Sequence, residues 1–209
     1  MEISIQHIKQ KLNQDLPGLS SHLKMASSNR IHELKNAEMQ MKSAMKSAVM
    51  ILLYPYNNQL KVVLIRRSFY VGIHAGQIAF PGGRYEDFDI EIKNTALREI
   101  QEEIGLNSEN IEVIGRISDI YVPPSNFLIS VFVGYLPQKP QYKIDEREVN
   151  EIIEIELSEF YKKDNILEKE FVVPSTSTSV FAPYYKVGNI ELWGASAMVM
   201  SEFLDIISG

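Results

Sequence analysis

The chain has 209 residues, with 21 Lys and Arg against 27 Asp and Glu and a formal net charge of −6 at pH 7. Hydrophobic content of 45% and charged content of 23% are those of a globular protein able to bury a substantial core in one domain. The acidic balance argues against a broad nucleic-acid surface, and the absence of cysteine excludes a disulfide framework, a thiolate zinc site and a cysteine nucleophile.

The first residues, Met1-Glu2-Ile3-Ser4, lack the charged-then-apolar order of a secretory leader, and no apolar run approaches the ~18 residues of a membrane span. A cytoplasmic protein without a membrane partner is therefore expected. Residues 3–13 and 20–46 have helical spacing, punctuated by Pro17-Gly18, so residues 1–45 read as an N-terminal helical segment before a domain at 46–209. Met39, Met41 and Met45 are expected to pack on that domain or on a second subunit, which leaves a homodimer open.

From Ser47 the pattern changes. Residues 48–54 and 60–65 are apolar, β-branched runs around Pro55, Asn57 and Asn58, a natural hairpin. A short run at 77–80 leads into a turn at Gly82-Gly83 and then a helix with Asp89 or Asn94 as N-cap and Gly105 as its stop. Strands are predicted at 111–120, 127–136, 151–157, 170–173 and 190–193, with a short helix at 158–163 and an amphipathic one at 195–207. Strands on both sides of a central helix predict an α/β fold with a mixed sheet covered on both faces. Residues 175–179, rich in Ser and Thr, are a candidate substrate loop.

The central helix carries the chemistry. Ala96, Leu97, Ile100 and Ile104 share one arc and face a core. Glu99, Glu102 and Glu103 share the neighbouring arc near the negative end of the helix dipole, where three carboxylates repel unless a cation sits among them. Taken alone, three such glutamates read first as a solvated acidic face, and it is their context that reverses that reading. Hard divalent ions such as Mg²⁺ take oxygen ligands of this kind, together with substrate phosphates.

The run Arg98-Glu99-Ile100-Gln101-Glu102-Glu103-Ile104-Gly105-Leu106, after Phe80-Pro81-Gly82-Gly83, resembles the Nudix box of the Nudix hydrolases. It departs from the general box in one respect: Gly83 lies fifteen residues before Arg98 rather than fourteen, and Ile90 fills the slot of a glutamate. The coenzyme A pyrophosphatase branch of the family shares that insertion. Its second signature is matched by Arg67, Ser68, Gly76 and Phe80 to Gly83, and its later motifs by Glu148-Val149-Asn150-Glu151-Ile152 and Leu192-Trp193-Gly194-Ala195. Gly72 stands where the branch has an arginine; if that arginine contacts a phosphate of coenzyme A in the branch, Arg66 and Arg84 are the candidates to supply the charge here.

The resemblance implies a Nudix-type α/β/α sandwich and Mg²⁺- or Mn²⁺-dependent cleavage of coenzyme A or acyl-coenzyme A to 3′,5′-ADP and (acyl-)4′-phosphopantetheine. It implies Glu99, Glu102 and Glu103 as metal ligands with the Gly83 carbonyl, and Arg98 as the residue orienting a box glutamate. Arg67, Ser68, His74, Gly76, Phe80, Gly82 and Gly83 become the substrate-facing set. Glu148 and Glu151 offer a distal base or an extra ligand, and Glu151 is counted with the catalytic residues. Trp193 reads as core rather than as a base-stacking platform. The alternatives are hydrolysis of another nucleoside diphosphate derivative such as ADP-ribose, and a Nudix-like module that binds a nucleotide without cleaving it.

Overall fold

The computed structural model describes residues 4–35, 38–69, 74–173 and 178–208. Strands β1 (Met45–Tyr56) and β2 (Gln59–Arg67) form the expected hairpin. It turns on Asn57 and Asn58, both left-handed at φ 48° and 60°, which Asn tolerates better than other side chains.

β1 runs parallel to β7 (Phe127–Tyr135) from Met45↔Phe127 to Leu53↔Tyr135. β7 also carries β5 (Glu112–Arg116) and β6 (Ile120–Val122), and β2 carries β8 (Val149–Glu156), all antiparallel. Beyond Leu52↔Val63 the hairpin strands part. Two short strands fill the fork: β3 (Ile78–Ala79) pairs with β2, and β4 (Gly82–Arg84) pairs with β1. The glycine turn of the sequence reading is thus a strand, because the opened edge of β1 offers Ser47, Ala48 and Val49 as partners.

Alternation along β1 puts Met50, Leu52 and Tyr54 on one face and Ile51 and Leu53 on the other, which separates two buried clusters. The first face is covered by α5 (Ile92–Ile104) through Ala96, Ile100 and Ile104. The second is covered by α6 (Gly194–Ser208) and by α1 (Ile5–Lys11), whose Ile8 joins the same cluster. This is an α/β/α arrangement around a mixed sheet.

The N-terminal residues are less helical than their spacing predicts. They form α2 (Leu19–His22), α3 (Ser28–Lys35) and α4 (Glu38–Met41), and then Met45 already belongs to β1 because Phe127 pairs with it. Met39 is 81% exposed rather than packed on the domain. The segment is held by polar contacts to α6: the buried Glu202 accepts from His22 at 2.8 Å and from the N–H groups of Gly18 and Ser118, while the partly exposed Asp205 takes the Ser21 hydroxyl and Lys24.

A separate antiparallel sheet of β9 (Ile166–Val173), β10 (Thr178–Val187) and β11 (Ile190–Trp193) follows. β10 was not expected from the sequence. Its Pro183 and Lys186 interrupt the apolar pattern, and pairing with both neighbours defines it. Trp193 stacks on Phe171 at 4.4 Å within this sheet.

Candidate active site

α5 begins after Glu91 rather than after Asp89 or Asn94. The Asp89 carboxylate is engaged elsewhere: it accepts from Arg98 Nε at 2.8 Å, Arg98 Nη2 at 3.1 Å and the Thr95 hydroxyl at 2.8 Å. These charge-assisted bonds hold the buried Asp89 carboxyl down at about 2. Arg98 Nη1 in turn donates to Glu99 at 2.9 Å and Glu102 at 2.8 Å, and Nη2 donates to the Arg84 carbonyl. Arg98 therefore orients two glutamates, braced from behind by Asp89.

The three helix glutamates do not share one environment. Glu103 is fully buried and Glu99 is 9% exposed, whereas the Glu102 side chain is 55% exposed. Glu103 accepts the Gly82 N–H at 2.8 Å and leans on Arg67 at 3.4 Å. Burial nevertheless pushes its carboxyl up to about 8, against the pull of Arg67 and Gly82, and burial likewise raises Glu99. Gly83 makes room for Glu99, since a Cβ there would run into the Glu99 carboxylate.

The carboxylate that completes the cluster is Glu148, not Glu102 or Glu151. Ligand oxygens of Glu99, Glu103 and Glu148 all lie within 4.8 Å of one another. Glu148 arrives on the loop before β8, which is pinned to the end of α5 by Lys143 N–H on the Ile104 carbonyl and Asp145 N–H on the Glu103 carbonyl. Gly105, left-handed at φ 71°, permits that docking, because a Cβ there would meet the Lys143 backbone. Ser68 secures the other side: its N–H donates to the Glu148 carbonyl and its hydroxyl to the Glu146 carbonyl, both at 2.9 Å.

Glu151, counted with the catalytic residues from sequence, lies on the opposite face of the sheet. It pairs with Arg66 at 3.2 Å and sits across from it in the ladder, while Arg67 on the other face reaches Glu103. Phe80, read as substrate-facing, is 2% exposed in the core cluster beneath α6, so it packs rather than meets ligand. His74 is bonded to Gln77 at 3.0 Å, and Gly76 at φ 69° lies against the Phe69 ring in the same loop. Gly72 and most of 175–179 fall outside the described residues. The sequence carried a signal for Asp89 in its acidic stretch, and none that ranked Glu148 above Glu151.

Two buried carboxylates and a third at their edge offer the all-oxygen donor set that suits a hard divalent cation. Among the described residues, no helix is long and apolar enough to cross a membrane.

The family model for the NUDIX domain matches residues 45–174. "Nudix hydrolase 3" of Caenorhabditis elegans is 26% identical over 175 residues, covering 77% of this chain and 72% of its own length. "Uncharacterized Nudix hydrolase NudL" of Citrobacter koseri is 32% identical over 145 residues, covering 68% and 72%. A crystal structure of the MutT protein of Methanosarcina mazei superposes with a TM-score of 0.49 at 18% identity, covering 77% of this chain and 92% of that one.

Proposed function

Because the chain belongs to the NUDIX domain family and is a Nudix hydrolase, we propose that it cleaves the diphosphate of coenzyme A or acyl-coenzyme A, releasing 3′,5′-ADP and (acyl-)4′-phosphopantetheine. The observation that carries the hydrolytic part is the convergence of Glu99, Glu103 and Glu148 within 4.8 Å. The substrate part rests on the residues before the box, from Arg67 to Gly83. Glu99, Glu103 and Glu148 would hold Mg²⁺ or Mn²⁺, with the Gly83 carbonyl beside them and Glu102 at the exposed rim. The chemistry such a cation supplies when bound is activation of water and screening of phosphate charge.

The chain's own groups do the rest. Arg98 fixes Glu99 and directs Glu102 through one nitrogen. Gly82 N–H and Arg67 fix Glu103. Glu148 is the exposed member of the cluster and accepts the proton of the attacking water. Arg66 is committed to Glu151 and Arg67 leans on Glu103, while the exposed Arg84 makes no ion pair among the described residues. Arg84 is thus the side chain to meet the 3′-phosphate.

The test is product mass after incubation of coenzyme A, acyl-coenzyme A, dephospho-coenzyme A, ADP-ribose and NADH with Mg²⁺ or Mn²⁺. Coenzyme A should exceed ADP-ribose in kcat/KM by about tenfold, or about 1.4 kcal/mol of transition-state binding. Equal cleavage of ADP-ribose would remove the substrate reading and keep only the diphosphate hydrolase.

A further inference from the structure

The turn between β4 and α5 contains a strained backbone position close to the site. Ile90 has φ 63° and ψ −57°, and the Glu91 N–H donates to the Asp89 carbonyl at 2.6 Å across it. This is a γ-turn in its rare positive-φ form, an outlier for a β-branched residue. The turn itself is explained: it aims Asp89 at Arg98. Isoleucine at its apex is not, because glycine would take the same conformation with less strain.

Nor does the fold gain from the side chain. Ile90 is 83% exposed, and Phe88 two residues earlier is 70% exposed with the Arg98 guanidinium 5.4 Å from its ring centre. Exposed apolar side chains placed at the cost of backbone strain signal a use outside the folded monomer. Both line a cleft of about 360 Å³ that also reaches Arg98 and Glu102, the rim of the acidic site. The rest of its wall includes Leu97, Asn94, Gln101 and Ser108, a mix of apolar and neutral hydrogen-bonding groups. Its one cation among the described residues, Arg98, is already bonded to Asp89, Glu99, Glu102 and a carbonyl. A phosphate would meet two carboxylates, Asp89 and Glu102, and no uncommitted cation among the described residues of this wall, whereas a neutral, flexible chain bearing amides fits the lining.

We propose that Phe88 and Ile90 are specificity residues that receive the pantetheine arm of the substrate in this cleft. The proposal rests on the coenzyme A reading and assigns one half of that substrate to a place beside Glu102.

Product inhibition separates the two halves. With the full chain and Mg²⁺, the inhibition constants of 4′-phosphopantetheine and of 3′,5′-ADP are measured for wild type, Phe88→Ala and Ile90→Gly. Melting temperatures are recorded alongside, and that of Ile90→Gly is expected at or above wild type. The constant for 4′-phosphopantetheine should rise about fivefold or more in each variant, with that for 3′,5′-ADP moving less than about twofold. A 4′-phosphopantetheine constant unmoved in both variants, or a shift in 3′,5′-ADP instead, overturns the assignment while leaving the coenzyme A reading intact. A wild type that does not cleave coenzyme A removes both.

Discussion

The Glu99 carboxylate occupies the space that a side chain on Gly83 would need. One residue's lack of a Cβ is therefore a condition for another's position. Gly83→Ala should push Glu99 out of the cluster and lower kcat by about 10²-fold, since metal electrostatics are worth several kcal/mol and each ~1.36 kcal/mol is tenfold. Circular dichroism should show the fold retained. Full activity in this variant would detach Glu99 from the chemistry.

Glu148 and Glu151 separate what the geometry selects from what the sequence suggested. Glu148→Gln is expected to cost at least about tenfold in kcat, and Glu151→Gln less than about twofold, because only the first faces Glu103. Steady-state kinetics on the two variants decide it, and the reverse ranking would return the catalytic role to Glu151.

Cation binding should be visible without turnover. Millimolar Mg²⁺ or Mn²⁺ should raise the melting temperature of the wild type, because the ion binds the folded state alone. A Glu99→Gln/Glu103→Gln/Glu148→Gln variant should gain little from the metal, because it lacks the carboxylates that would hold the ion. A wild-type-sized response in the triple variant would place the ion elsewhere.

Asp89 gives a pH prediction. Its folded-state carboxyl lies at about 2, below the ~3.9 of an unfolded aspartate. The stability it contributes is thus complete above about pH 4 and is lost as pH falls through about 2. Melting curves of wild type and Asp89→Asn should differ at neutral pH and converge between those values. A constant gap down to pH 2 would mean that Asp89 acts through something other than its charge.

The docking of the N-terminal residues has its own measure. Glu202→Ala would strand the buried His22 and the N–H groups of Gly18 and Ser118, which predicts a loss of about 3 kcal/mol in urea unfolding. A change below about 1 kcal/mol would reduce this network to an exposed ion pair in energetic terms.

Local signals in the chain carried much of this structure, and non-local register carried the remainder. The β1–β2 hairpin and α5 with its Gly105 stop were legible because turn residues and helical periodicity are written within a few positions. The split of Glu99 and Glu103 from Glu102 was not. At about 100° per residue Glu102 lies only about 60° from Glu99, and which side meets β4 depends on the fork between β1 and β2. The choice of Glu148 over Glu151 depends on a bulge where β2 meets β8, with Arg66 opposite Glu151 but Arg67 opposite Val149. Phe80 reads as a site residue because it belongs to the matched run at 80–83, yet the connection between β3 and β4 packs it into the cluster beneath α6.

The three-stranded sheet of β9, β10 and β11 has a small apolar cluster of its own, Phe171, Ala182 and Tyr184, apart from the two main ones. Tyr185, Ile190 and Leu192 tie β11 and the adjoining end of β10 into the cluster beneath α6, while β9 pairs with β10 alone among the described residues. β1, by contrast, is flanked along its length by β7, β2 and β4. Amide hydrogen exchange should therefore show two tiers of protection. The amides of β9 and of the outer part of β10 would exchange through a local opening of low free energy, and those of β1 and β7 only through global unfolding. Gly82 and Gly83 hang on β1, so the acidic cluster would stay assembled while that outer sheet opens and closes.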